Sequence, residues 1–424
     1  MKIYLRTFGC RANHYDTEAV RAMAEAAGHS VVAEVGEADV AVFNSCAVTA
    51  QAEAELRKGV RRAARERPTL RSVVMGCAAA LDDARPSPLS IRALPGVSHV
   101  VAGADLTGMA SALGVAEPNA IRTRAQSGAR ALLRIQDGCD EHCTFCATTL
   151  ARGANRSRPI DVLVEEAAAL SERHSEIVIT GIHIGTYGRD AGTSLGALLQ
   201  RLVRDVPVVR FRLSSIEATE LDDAICELLI GMPDRVAPYV HAPLQSGSDR
   251  VLRRMGRHWY SSATYGQAVQ KLAARMSILG LGADVIAGFP GETDADHAAT
   301  LAMIDRLPFT YLHVFPYSPR PGTAARRLPD PVAEGVAARR AAELRDAGER
   351  KAAAHRAARD GAAADVVVVG SSADRQGITG DFLHVAVRGS RHRRGERFQA
   401  RLSLLGERLV AEPLTPMVST RQAQ

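Results

Sequence analysis

Lysine is nearly absent. Lys2, Lys58, Lys271 and Lys351 are the only four among 53 basic residues, and the rest are arginine. Together with alanine-rich helical stretches, this skew is a composition bias, so arginine number says little about function and arginine clustering says more. Aromatic residues make up 4% of the chain, with one tryptophan, Trp259. So few rings exclude an extended base-stacking platform. Nowhere do about 18 apolar residues run together, which excludes an apolar membrane-spanning helix. The opening stretch has too short an apolar run for a secretory signal. A cytoplasmic protein without a membrane partner is expected. Its seven cysteines then lie in a reducing compartment, where clustering points to metal or catalysis rather than disulfides.

What is present is ordinary for a globular chain. A content of 46% hydrophobic and 24% charged residues excludes disordered and collagen-like classes. At about 150 residues per domain, two or three domains are expected. The net charge of +6 permits a polyanionic partner without requiring one.

Three parts are read along the chain: residues 1–116, 129–359 and 364–424. In the first, strands are expected at Lys2–Phe8, Val40–Phe43, Ser72–Met75 and Ser98–Val101. Helices are expected from Tyr15 to Ala27 and from a Thr49 cap to Glu66. Alternation of this kind gives a mostly parallel sheet covered by helices. A polar stretch over residues 117–128 reads as a linker. The alternation then restarts, with strands expected at Leu132–Gln136, Glu176–Thr180, Val209–Leu213, Tyr239–Ala242, Gly282–Ala287 and Tyr311–Phe315. Six such units suit an open, partial TIM-like barrel, since a full one needs about 250 residues. A long Ala/Arg/Glu-rich helix follows over Pro331–Arg359. The fold class is therefore α/β, ending in a small all-β barrel. That barrel is read as antiparallel from Val366–Val369, Phe382–Val387 and Arg408–Val410, short β runs broken by glycines.

The sharpest signal is Gly138-Cys139-Asp140-Glu141-His142-Cys143-Thr144-Phe145-Cys146. Three thiolates in one loop after the first barrel strand grip a compact metal group, and soft thiolates select zinc or iron–sulfur. A closed zinc site wants four ligands, and His142 is available as the fourth. A four-iron cluster on three cysteines instead leaves one iron open. Cys10, Cys46 and Cys77 each follow a predicted strand of the first part. Parallel topology brings all three loops to the strands' C-terminal edge, where such folds bind ligands. The alternative is three separate core cysteines. Cys226 sits in an amphipathic helical pattern and reads as core.

The C-x3-C-x2-C run resembles the radical S-adenosylmethionine (SAM) signature, and nearly the whole chain supports a resemblance to the methylthiotransferase family. The segments Thr7–Asn13, Asn44–Thr49 and Met75–Cys77 are similar to the three cysteine segments of that family's N-terminal domain. Gly181–Gly188, Arg212–Glu217, Pro243–Asp249, Asp284–Thr293 and His313–Thr323 are similar to its barrel motifs. The His313-to-Ser318 and Gly181-to-Gly185 versions look most like the branch acting on N6-threonylcarbamoyladenosine in tRNA. The C-terminal part resembles a TRAM domain, a small RNA-binding barrel. The chain departs from the family at Ala147-Thr148-Thr149, where apolar residues and a proline are usual. It departs also at Ala78-Ala79-Ala80 and at His14.

The resemblance implies two 4Fe-4S clusters, one on Cys139, Cys143 and Cys146 and one on Cys10, Cys46 and Cys77. The first binds SAM and cleaves it to a 5′-deoxyadenosyl radical; the second carries the sulfur. The product expected is a methylthio group at C2 of N6-threonylcarbamoyladenosine, next to the anticodon. Isopentenyladenosine in tRNA, a ribosomal-protein aspartate, and a non-catalytic zinc protein stand as alternatives. Gly181, His183, Ser214, Glu217, Gln245, Ser246, Gly288 and Glu292 fall after barrel strands and are expected around SAM. Gly288 to Gly291 are expected either to let backbone approach it or to form an ordinary strand-to-helix turn, and Glu217 to bind a ribose hydroxyl or cap a helix. Arg152, Arg156 and Arg158, with Arg388, Arg391, Arg393, Arg394, Arg397 and Arg401, are expected to line a path for tRNA phosphates. A flavodoxin or ferredoxin as electron donor and a monomeric state complete the expectation.

Overall fold

The computed structural model describes residues 1–47, 50–82, 90–116, 125–371, 374–389 and 392–414. Thr49, Arg391 and residues 117–124 of the expected linker lie outside them.

The first part is a five-stranded parallel sheet in the order Ser30–Val32, Lys2–Thr7, Val40–Ser45, Arg71–Gly76, Val97–Ala102. Alternate residues face opposite sides, as the pleat requires. Val40, Val42, Val73 and Met75 pack with Val20 and Met23 of helix Arg11–Ala26 and with Met109. Ala41, Phe43 and Val74 pack with Leu56 and Val60 of helix Ala50–Glu66. The edge strand Ser30–Val32 had no legible signal, being three residues long. The first helix starts at Arg11, four residues before the expectation, with Cys10 in extended conformation just ahead of it.

The middle part holds six parallel strands: Ala131–Arg134, Glu176–Thr180, Arg210–Leu213, Tyr239–His241, Gly280–Ala287 and Tyr311–Pro316. They form two three-stranded sheets joined by single bridges, Phe211 to Val236 and Ser215 to His241. Connecting helices begin at side-chain caps. Ser194 and Asp222 each accept one backbone N–H, and Ser261 and Thr293 form reciprocal capping boxes. Leu198, Leu202, Ile225, Val269 and Ile304 on these helices meet Ile177, Phe211, Val240 and Val285 on the strands in one core.

Beneath that core lies a fully buried ion group. Glu176 accepts from Arg212 Nε at 2.8 Å and from Arg210 Nε at 2.6 Å. Burial disfavours the Glu176 carboxylate, yet the guanidiniums of Arg212, Arg210 and Arg130 hold it well below the usual carboxylate range. Arg212 also donates to the carbonyls of Thr379 and Gly380, at 2.9 and 2.8 Å. These belong to the last part, a closed five-stranded barrel in the order Ala363–Val368, Gln376–Thr379, His384–Val387, Arg408–Pro413, Arg397–Leu405. It is not wholly antiparallel: His384–Val387 pairs in parallel with Arg408–Pro413. The expected run Phe382–Val387 begins as a turn. Phe382, at a φ of +70°, puts its ring 4.5 Å from that of Tyr239. The C-terminal barrel is thus plugged into the floor of the larger one.

Candidate active site

The C-x3-C-x2-C loop is held at both ends. At its start, the space a Gly138 Cβ would need is taken by the Ala154 carbonyl, and Cys139 N–H donates to the Gly153 carbonyl at 3.0 Å. Gly138 at a φ of +75° is the residue that allows this approach. The Gln136 amide donates to the Gly138 carbonyl and accepts from the Ile182 and His183 N–H groups, each at 3.0 Å. Gly181 leaves room for it, since a Cβ there would lie 2.9 Å from Gln136 Oε1. At the far end Thr144 bonds through N–H and hydroxyl to the carbonyls of Met255 and Arg254, at 2.8 and 2.9 Å.

Each thiol of the loop has a polar partner. His183 Nδ1 lies 3.7 Å from Cys139 Sγ, and Arg257 Nη1 donates to Cys143 Sγ at 3.4 Å. Cys146 Sγ accepts from Thr148 N–H at 3.3 Å. Burial pushes the Cys143 thiol up to about 12, more than the Arg257 charge pulls it down. Burial raises Cys146 as well. Burial thus favours the thiol form of both, and a metal bound there would have to displace their protons. Thiolates on one zinc at about 2.3 Å stand roughly 3.8 Å apart. Among the described residues the only three His, Cys, Asp or Glu groups within 4.8 Å of one another are His241, Asp284 and His313. The three cysteine sulfurs are not all within that distance of one another, a spread compatible with a metal group larger than one ion.

Cys10, Cys46 and Cys77 emerge together at the C-terminal edge of the first sheet. A Cβ on Gly9 would lie 2.9 Å from Cys46 Cβ, and one on Gly76, at a φ of +99°, would overlap the Asn44 amide and Ser45 carbonyl. Both glycines are needed for the cysteine-bearing turns to nest. Cys10 Sγ donates to Asn13 Oδ1 at 3.2 Å. Burial pushes the Cys77 thiol up to about 11, against the pull of Arg152.

Arg152 joins the two cysteine sites. It ends the short helix Thr148–Arg152 that follows Cys146. Its Nε donates to Cys77 Sγ at 3.2 Å, and its other nitrogens reach Asp16 at 2.7 Å and Asp137 at 3.2 Å. Its side chain has no exposed surface. Arg152 is therefore corrected from a phosphate contact to a buried link between the sites. Arg158 is corrected likewise: it donates to Glu166 at 2.6 Å and Tyr15 at 3.2 Å inside the same interface. Arg156 remains exposed.

The expected SAM residues divide. His183 bridges Cys139 and Glu220, with 2.9 Å between Nε2 and Oε2. Burial disfavours its imidazolium, but the bonds to Cys139 and Glu220 outweigh that and push it up to about 10. Glu217 is buried; one carboxylate oxygen meets Arg257 and the other has no hydrogen-bond partner. That unfilled acceptor beside the cluster loop fits a ribose hydroxyl, and Glu217 accepts no helix-capping bond. Ser214 is buried at the end of its strand. Gln245 holds a φ of +61°, unusual for a side chain with a Cβ, and such strain collects at functional sites. Ser246, Gly288 and Glu292 are corrections. Ser246 is tied to Thr300 and to Ser248 N–H. Glu292 Oε2 accepts from Gly288 N–H and Arg340 Nη1, both at 2.8 Å. The space of a Gly288 Cβ is filled by Ala337. These three dock the outer helices. Arg257 was missed because nothing in its local sequence marks it; only the fold brings it to Cys143 and Glu217.

On the C-terminal barrel, Arg397 is neutralised by Asp365, and Arg388 pairs with Glu412 at the surface. Arg393, Arg394 and Arg401 are exposed.

Residues 2–89 match the family described as "Uncharacterized protein family UPF0004", and residues 133–304 match the "Radical SAM superfamily". The chain is 35% identical over 342 residues to the threonylcarbamoyladenosine tRNA methylthiotransferase of Thermotoga maritima, covering 78% of each chain. It is 37% identical to the Bacillus subtilis protein of the same name, over 79% of this chain and 77% of that one. It is also 34% identical to a tRNA-2-methylthio-N(6)-dimethylallyladenosine synthase of a Parafrankia species, over 89% and 79%. Among solved structures, the fold resembles that of the radical S-adenosylmethionine methyltransferase TsrM from Kitasatospora setae. The TM-score is 0.56 and the identity 13%, over 76% of each chain.

Proposed function

The chain belongs to the radical SAM methylthiotransferase family, and we propose that it replaces the C2 hydrogen of N6-threonylcarbamoyladenosine, next to the anticodon of a tRNA, with a methylthio group. The observation that carries this reading is the meeting of two three-cysteine sites at Arg152. Cys139, Cys143 and Cys146 would hold one four-iron cluster and Cys10, Cys46 and Cys77 a second. Bound there, these groups supply the electron that cleaves SAM and the sulfur that is transferred.

The protein's own side chains bind, orient and shield. Arg257 places positive charge against Cys143 and fixes Glu217. The free oxygen of Glu217 accepts from SAM. His183 donates toward Cys139 with Glu220 behind it. A C–H bond without acidity needs no general base, so none of these side chains is given that role. The closed C-terminal barrel acts as a TRAM-like module, with Arg393, Arg394 and Arg401 toward RNA phosphates. Electrons come from a flavodoxin- or ferredoxin-like donor, and the enzyme works as a monomer.

Similarity to synthases acting on dimethylallyladenosine supports a second reading, in which the modified base is isopentenyladenosine. Mass spectrometry of tRNA nucleosides from a deletion strain decides. Loss of the methylthio form of threonylcarbamoyladenosine, restored by the gene, supports the proposal. Loss of the methylthio form of isopentenyladenosine instead supports the second reading.

A further inference from the structure

One polar group inside the central barrel is used by nothing above. Along the strand Gly280–Ala287, Leu281, Ala283, Val285 and Ala287 pack into the helix-covered core. Gly282, Asp284 and Ile286 therefore face the barrel interior. In register beside them stand Tyr311, His313 and Phe315. A Gly282 Cβ would overlap the Tyr311 ring, so the glycine lets that ring lie across the wall. Tyr311 hydroxyl then meets Tyr239 hydroxyl at 2.6 Å and His241 Nδ1 at 2.7 Å. Asp284 Oδ1 lies 3.1 Å from His241 Nε2 and 3.2 Å from His313 Nδ1.

The group is graded from dry to open. The side-chain exposure is 5% for His241, 27% for Asp284 and 54% for His313. Phe315, next on the same face, is one of the few large apolar side chains left exposed, at 40%. Above the wall is the strained Gln245, whose N–H donates to the Asp284 carbonyl at 2.8 Å. The group therefore lies one ladder step from the loops that hold the candidate SAM residues. Arg11 of the first domain lies near enough for its charge to act on Tyr311 of this group. Arg11 follows Cys10, is only partly exposed, and its guanidinium has no hydrogen bond or ion pair among the described residues. Its charge reaches Tyr311, where burial and the Tyr239 hydroxyl oppose ionisation and Arg11 favours it.

We propose that His313, Asp284 and Arg11 form the specificity pocket for the N6 substituent of the substrate base. Arg11 and His313 hold the substituent's carboxylate, Asp284 accepts from its hydroxyl or N–H, and Phe315 covers the apolar stem. The inference rests on the functional reading above, since a threonylcarbamoyl group carries a carboxylate, a hydroxyl and N–H donors, whereas an isopentenyl group carries none. A pocket lined with charged donors rejects the apolar group because its own polar atoms are then left desolvated and unpaired.

The test uses the anaerobically reconstituted full-length enzyme and two tRNAs differing only in the N6 group, threonylcarbamoyl or isopentenyl. The readout is the ratio of kcat/KM on the two. Arg11→Gln and His313→Phe are expected to lower that ratio about 10- to 100-fold, mainly by raising KM for the threonylcarbamoyl tRNA, as loss of a charged hydrogen bond does. Arg11→Lys, which keeps the charge, is expected to retain most of it. General damage to folding lowers both rates and leaves the ratio, so an unmoved ratio in these variants overturns the pocket. Finding one divalent ion beyond the iron in the wild type, lost in His313→Phe, also overturns it and makes the triad a metal site. If the wild type acts only on the isopentenyl tRNA, the functional reading itself has failed. A wild type acting on the threonylcarbamoyl tRNA with unaltered variants means that only the pocket has failed.

Discussion

Arg152 carries three jobs in one side chain: it donates to a cysteine of the first site, ends the helix leaving the second, and neutralises a buried aspartate between them. Arg152→Met is expected to cost about 3–5 kcal/mol, because Asp16 is left buried with one fewer partner. A shift of the denaturation midpoint at unchanged slope checks this. Arg152→Lys should recover only part, since an ammonium cannot reach Cys77, Asp16 and Asp137 with a planar fork. Glu217→Gln is expected to raise KM for SAM roughly tenfold, the loss of one charged hydrogen bond, measured by SAM cleavage against SAM concentration. The gathering of Cys10, Cys46 and Cys77 at one sheet edge was legible because position after strands is a sequence property. The roles of Arg152 and Arg257 were not, because each depends on a cysteine more than 70 residues away.

At the scale of elements, alternation of apolar residues marked the six barrel strands and the main strands of the first sheet. What escaped was short or glycine-bearing: Ser30–Val32 and Gln376–Thr379, whose pairing depends on neighbours rather than on their own pattern. The helix Glu334–Ala358 was legible, but its docking was not. It rests on Gly288, at a φ of +74°, and on the Arg340–Glu292 pair at 2.8 Å. Gly288→Ala is expected to destabilise by about 1–3 kcal/mol, from backbone strain together with overlap at Ala337. Thermal unfolding reads the loss.

At the scale of the whole molecule, the C-terminal barrel is part of the central barrel's floor and not a detachable arm. A chain ending at Arg359 would uncover Arg212, Glu176 and Tyr239, so truncation tests stability as much as RNA binding. Charge reversal of exposed Arg393, Arg394 and Arg401 is the cleaner probe: tRNA affinity should fall and its salt dependence should flatten. The docking also carries a pH signature. Burial disfavours the Asp381 carboxylate, but His355 and Arg359 outweigh it and pull it down to about 2 from 3.8. A depressed carboxylate contributes stability that is present above pH 3.8 and lost as the pH falls through about 2, roughly 2 kcal/mol in all. Asp381→Asn should remove that part of the acid dependence.

The central claim is that two cysteine sites divide the work, and one reaction tests it most directly. The enzyme with Cys10, Cys46 and Cys77 all replaced by alanine is given SAM, reductant and threonylcarbamoyladenosine-containing tRNA, and 5′-deoxyadenosine and methylthio nucleoside are measured together. The account predicts continued 5′-deoxyadenosine formation with no methylthio product. Normal methylthio product from this variant would contradict it.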